Sequence, residues 1–306
     1  MNTTPDQRSG PAGPAAADRG KAVSSPGHDT ERPDQARGRR IVRIGAVLLA
    51  FAAALSLLAF LMLRTDGSVP DAKPVPGPPV QYEYGMTQGS GGMVLHYLRT
   101  DPSNITLTAI RDNVALAPHY GINGGFFYDS ALLSMAIVDG VPAAGDGGAN
   151  GGYGFGAENV KYARGTLVWD RRTERLSVQV ASKAEGLDVT DRSAYWAQGG
   201  ISMSLGRDEA WYEQAVLEHA PFMDERRLRS GAVFDEDGQL YLVVSESRGT
   251  LAEFRTAILE RLGGAGRPRL VDGIFLDGDG SSQLRSRQAS LTGDNRPVVQ
   301  MISLLR

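Results

Sequence analysis

From Gln81 to the C-terminus, apolar positions come in short runs broken by Gly, Asp, Asn, Pro or Ser. Runs of that length, rich in Val, Ile, Leu and aromatic residues, read as strands half or wholly buried in a sheet. The pattern predicts strands at Met93–Leu98, Ile105–Ile110, Leu133–Val138, Thr166–Trp169, Leu176–Val180, Gly231–Phe234, Leu240–Val244, Val271–Leu276 and Val298–Leu304. Asp139-Gly140 follows one run and Asp237-Gly238 joins two others, which marks hairpins, because these residues accept the left-handed backbone of a tight turn.

Helical spacing is rarer. Thr250-Leu251-Ala252-Glu253 has capping-box order, Leu251, Phe254, Ala257, Ile258 and Leu262 share one stripe, and Gly263-Gly264 stops it. A shorter helix is predicted near Glu209–Glu218. Strands outnumber helices, and hairpins replace regular strand-helix alternation. The expected fold is therefore α+β, with a mixed, largely antiparallel sheet flanked by helices and preceded by one transmembrane helix.

The patterning differs before residue 81. Residues 1–43 are Pro, Gly, Ala, Ser, Asp and Arg with little aliphatic content, too little to offset chain entropy, and read as a disordered tail. Residues 44–63, Ile44 to Leu63, carry no charge and at ~1.5 Å per residue span roughly 30 Å, the thickness of a bilayer core. Arg37, Arg39, Arg40 and Arg43 crowd the N-terminal side, which puts the N-terminus in the cytoplasm and the rest outside. A cleaved signal peptide is the rival, but the apolar core exceeds the usual ~7–15 residues and no A-x-A site follows. Pro70, Pro74, Pro76, Pro78 and Pro79 make residues 64–80 an extended linker. Residues 81–306 are then one extracytoplasmic domain of a single-pass cell-membrane protein.

Composition narrows the chemistry. The 306 residues include no cysteine, which removes disulfides and thiol catalysis. Beyond residue 80 there are 22 basic and 28 acidic residues, so nucleic acid is not an expected partner. His28, His96, His119 and His219 show no metal-ligand spacing. Gly145–Gly156 lacks the Gly-Lys-Ser/Thr ending of a phosphate loop and reads as a flexible surface loop or active-site flap. Asp277-x-Asp279 does not extend into a calcium loop, since Ser282 and Gln288 fall where Gly and Glu belong. No cofactor and no metal are expected.

The densest chemistry lies in the run from Gly273 to Leu284. A short apolar strand delivers Asp277 and Asp279 into a loop with Gly278, Gly280, Ser281 and Ser282, whose bland reading is an Asx turn. Ser281 as an acyl-transfer nucleophile lacks the G-x-S-x-G elbow. Asn123-Gly124-Gly125 offers an amide beside glycines that admit close approach, or simply a turn. Arg229 stands at a strand mouth after Arg226 and Arg227, where a guanidinium fork grips phosphate. Glu246 ends the Leu240–Val244 strand. It joins Asp277 at one sheet edge if their strands are parallel neighbours.

In order, Asn123-Gly124-Gly125-Phe126-Phe127, Gln198-Gly199-Gly200, Arg229-Ser230-Gly231-Ala232-Val233, Leu242-Val243-Val244-Ser245-Glu246 and Leu276-Asp277-Gly278-Asp279-Gly280-Ser281-Ser282 resemble the phosphodiester glycosidase family, which includes bacterial exopolysaccharide-associated proteins. The resemblance covers most of the outer domain. It implies hydrolysis of a sugar-1-phosphodiester to free sugar and phosphomonoester, on a phosphate-linked sugar or glycopolymer of the envelope or a secreted polymer. It places Asn123, Arg229, Asp277, Ser281 and Ser282 on motif positions, with Gly124, Gly125, Gln198, Asp279 and Gly280 in the same segments as substrate-binding candidates. Three departures stand out: Asp279 replaces a frequent Gly, Ser230-Gly231 replaces a Thr-Ala pair, and the cysteines of the family's mammalian members are absent. Catalysis is expected from Arg229 on the phosphate and from Asp277 or Glu246 at the anomeric centre. The alternative is a non-catalytic membrane-tethered module binding glycan or sugar phosphate.

Overall fold

The computed structural model describes residues 81–145 and 154–305. The expected tail, membrane span and linker, and residues 146–153 of the glycine-rich loop, lie outside the described residues. Among the described residues no helix is long and apolar enough to cross a membrane.

The apolar runs form strands, and the paired strands are antiparallel throughout. One sheet of six runs, edge to edge, Glu83–Gln88, Val94–Thr100, Leu240–Ser245, Ser230–Asp235, Leu270–Phe275 and Ile201–Ser202. A second, of five, runs Arg175–Ala181, Arg164–Asp170, Tyr195–Gly199, Ala136–Val138 and Val141–Pro142. The third, also of five, runs Ser290–Leu291, Leu284–Arg285, Gly121–Asn123, Val298–Leu304 and Ile105–Asp112. A small hairpin pairs Phe127–Tyr128 with Ala131–Leu132.

Both hairpin signals correspond to turns. Asp139 and Gly140 are left-handed at φ 51° and 81°, and Gly238 at φ 77°. Two α-helices occur among the described residues, α1 at Trp211–Leu217 and α2 at Leu251–Leu262. α2 begins with the capping box read from the sequence: Glu253 N donates to Thr250 Oγ1 (3.1 Å) and Thr250 N donates to the Glu253 carboxylate (2.7 Å).

The fold class departs from expectation. Instead of an α+β fold with helices flanking a mixed sheet, the domain is mostly antiparallel sheet and closer to all-β. Packing explains the difference, because the sheets bury their apolar faces chiefly on one another. The central core joins Leu98, Leu242 and Ile274 of the six-stranded sheet to Leu167 and Trp196 of the second and Ile122 and Ile302 of the third. Among the described residues α2 covers the opposite face of the six-stranded sheet, where Val233, Val243 and Phe275 meet Phe254 and Ile258. Because side chains alternate between faces, one edge of that sheet can support two separate sites.

Candidate functional site

That edge is formed by the start of Ser230–Asp235 and the ends of Leu240–Ser245 and Leu270–Phe275. Past Phe275 the chain leaves the ladder as Leu276-Asp277-Gly278 and closes a 3-10 turn at Asp279–Ser281. Asn123, 1% exposed, anchors this loop. Its Oδ1 accepts from Ser230 Oγ (2.8 Å) and Gln283 N (3.0 Å), and its Nδ2 donates to the Asp277 carbonyl (2.8 Å). One amide thus ties together three distant segments.

The flanking glycines are demanded by packing. Gly125 N donates to Gln300 Oε1 (3.1 Å), a Cβ on Gly124 would overlap that oxygen, and one on Gly125 would overlap Ser134. Gly280 leaves room for the Asp294 carboxylate in the same way. Gln198 is buried beside Gly125, donating from Nε2 to the Gly199 carbonyl (3.0 Å) while its Oε1 has no protein partner.

Asp277 sits in a pocket of about 140 Å³ whose apolar wall includes Phe126, Phe222, Leu251 and Phe275 and whose charged residues are Arg227, Arg229, Arg296, Asp277 and Asp279. Its carboxylate accepts from Gly278 N (3.0 Å) and from the Ser281 hydroxyl. Desolvation dominates: burial raises Asp277 from 3.8 to about 6, against the pull of Ser281, Gly278 and Arg296.

Arg229 is 4% exposed. Its guanidinium is held by carbonyls rather than carboxylates: Nε donates to Gly249 O (2.9 Å), and Nη2 to Phe222 O (2.7 Å) and Glu225 O (2.5 Å). Nη1 makes no hydrogen bond to the protein and lies against Gly278, where a Cβ would stand 4.0 Å from it. Burial, with repulsion from Arg227, lowers the group to about 10, so it stays protonated at neutral pH. A buried cation without an anion is costly unless a ligand supplies one.

The other two arginines are already paired. Arg227 stacks at 3.9 Å on Phe222 and donates to Asp279 (2.7 Å) and Glu225 (2.8 Å). Arg296 forks onto Asp294 (Nε to Oδ1, 2.9 Å). The sequence carried no motif signal for Arg296 or for Phe222, whose left-handed φ of 53° is unusual for an aromatic residue.

Glu246 lies elsewhere. Its strand runs parallel to that of Asp277, but Ser230–Asp235 separates them, so the two are not neighbours. Val244, two residues earlier, faces the central core, whereas Phe275, two before Asp277, faces α2. Glu246 therefore projects from the opposite face, into a second pocket of about 240 Å³ shared with Ser282 and Thr292. There it pairs with His96 Nε2 (2.9 Å), whose Nδ1 meets Tyr84 Oη (2.9 Å). Ser282 is buried, and its Oγ has no protein partner. Among the described residues no three potential metal-ligating side chains cluster.

No protein-family model matches the chain, and no curated protein matches it in sequence. Solved structures do. The catalytic domain of zebrafish N-acetylglucosamine-1-phosphodiester alpha-N-acetylglucosaminidase, auto-inhibited by its pro-peptide, superposes with a TM-score of 0.51 at 14% identity, covering 76% of this chain and 85% of that one. A hypothetical protein from Synechocystis matches with a TM-score of 0.40 at 16% identity, covering 72% and 61%. At such identity the zebrafish likeness is a distant one and shows the fold.

Proposed function

We propose that the Asp277 pocket hydrolyses a sugar-1-phosphodiester. The observation that carries the reading is Arg229: a buried guanidinium with no carboxylate partner and one unbonded nitrogen, lining the same pocket as a carboxyl group that burial raises to about 6. A phosphate oxygen satisfies that cation. Because phosphate is a weak base, stabilising its departing charge matters more than protonating it.

In this reading the anomeric C–O bond breaks, and its electron pair leaves on the phosphate oxygen against Arg229. Ionised Asp277 stabilises the positive anomeric centre and takes the proton of the water whose oxygen bonds to that carbon. Free sugar and a phosphomonoester result. The fold shared with the zebrafish enzyme supports this assignment. Residues 44–63, read as a membrane anchor, favour substrates in the envelope or a secreted glycopolymer.

Purified full-length chain, incubated with methyl phosphodiesters of α-sugars and with UDP-sugars, is expected to release free sugar. Asp277→Asn should reduce release by at least about a hundredfold. No release from any such donor, or full activity in Asp277→Asn, refutes the mechanism. One observation favours binding without turnover as a second reading: with Glu246 on the other face and Asp279 ion-paired, Asp277 is the one carboxylate lining the pocket that is free of an ion pair. Ligand binding without sugar release would support it.

A further inference from the structure

We propose that Asp279 sets the charge of the ligand, restricting the pocket to monoanionic phosphodiesters and discriminating against dianionic phosphomonoesters. The inference rests on the phosphate-binding part of the reading above and not on turnover.

The argument begins with what Asp279 does not do. It occupies a left-handed backbone position, φ 54°, which Gly and Asn adopt more readily. Its N–H donates to Leu228 O (2.8 Å), a bond any residue makes. The carboxylate caps nothing and satisfies no backbone group. It bonds only to arginines, Arg227 Nη1 (2.7 Å) and Arg248 Nη1 (3.4 Å). The turn would form as well without it.

What it does is cancel charge. Of the three arginines lining the pocket, Arg296 is neutralised by Asp294 and Arg227 by Asp279 with Glu225. Arg227 already has its partners, two carboxylates and the ring of Phe222. One cation without a carboxylate partner, Arg229, remains for the phosphate, and above about pH 6 the ionised Asp277 in the same pocket adds to the repulsion of a second negative charge. A phosphodiester carries one negative charge and matches it. A phosphomonoester gains a second charge above pH ~6, and that charge meets the Asp279 carboxylate. Cleavage of the proposed substrate converts the first species into the second, so the same residue promotes product release.

Calorimetric titration of the full chain at pH 8 with dimethyl phosphate and methyl phosphate tests this. The protein should bind dimethyl phosphate at least as tightly as methyl phosphate. Asp279→Asn and Asp279→Gly, both compatible with the left-handed turn, should tighten methyl phosphate about tenfold and dimethyl phosphate less than about threefold, as expected for one partly exposed charge. The proposal falls if the native chain prefers methyl phosphate, if neither ester binds, or if both substitutions leave the ratio unchanged. Charge preference without sugar release leaves this inference standing and removes the hydrolytic one, and sugar release without charge preference does the reverse.

Discussion

Asn123 tests whether the loop carrying Asp277 is held as the hydrogen bonds indicate. Asn123→Ala removes four side-chain hydrogen bonds, at 2.8, 3.0, 2.8 and 3.3 Å, and strands Ser230 Oγ, Gln283 N and the Asp277 carbonyl, while the Gly124 carbonyl keeps the Asp277 N–H. A stranded buried polar group costs ~1–3 kcal/mol, and water entering the vacated space recovers part, giving ~3–5 kcal/mol in all. At ~2–4 °C per kcal/mol for a domain of this size, Tm should fall by ~8–15 °C. Calorimetry of the full chain reads the shift, and sugar release measured well below the new Tm reads the site. If Asn123 instead contacts substrate, KM rises while Tm hardly moves. A loss below about 3 °C refutes the clasp.

Asp277→Asn should be stabilising where the native carboxylate is ionised. Burial raises the folded value from 3.8 to about 6, so Asp277 opposes folding least below 3.8 and increasingly as pH rises through about 6. The substitution should therefore gain up to ~3 kcal/mol at pH 8 and nothing near pH 4 in chemical denaturation, and equal effects at both refute the shift. Sugar release, which uses the ionised form, should rise through pH 6. Arg229→Lys cannot span Gly249, Phe222 and Glu225, so binding of inorganic phosphate should weaken at least about tenfold and hydrogen exchange around Phe222 should accelerate. Unchanged exchange would refute the bracing role of Arg229. In Gly200→Ala the new Cβ overlaps the Phe275 carbonyl, a backbone atom that cannot swing aside. A Tm within 2 °C of the native value, roughly the ~0.5 kcal/mol of a neutral surface change, would refute that contact.

The longer apolar runs were legible because each carries enough Val, Ile and Leu to mark a strand without help from its neighbours. Gly231–Phe234 and Leu240–Val244 fall within observed strands, and Thr250 to Leu262 was readable down to its cap. Tyr195–Gly199 and Ile201–Ser202 escaped notice for the opposite reason. Their composition answers to atoms of other segments: Gly199 leaves room for the Asn159 side chain and the Met135 backbone, and Gly200 for the Phe275 carbonyl. The fold class is not legible because helix periodicity reports that a helix exists, not how much sheet it covers. At the site, Asp277 and Arg229 stood out as charge delivered by strands. Arg296 arrives on a turn whose approach depends on Gly280 being small, which local pattern does not disclose.

The separation of Glu246 from Asp277 follows from strand parity. Each acid lies two residues beyond a buried apolar residue, Val244 and Phe275, so each continues the face of that residue as long as the chain stays extended. Val244 belongs to the core between the sheets and Phe275 to the core under α2. The burial of those two residues therefore fixes which pocket each carboxylate enters. Bringing both acids to one ligand would require a one-residue slip in one strand, driving Val243 or Ile274 out of its core. Direct catalytic pairing of these two acids is thus opposed by the packing of the sheet itself. Any second group at the anomeric centre must come from the α2 side, where Ser281 touches Asp277 and Asp279 guards the rim.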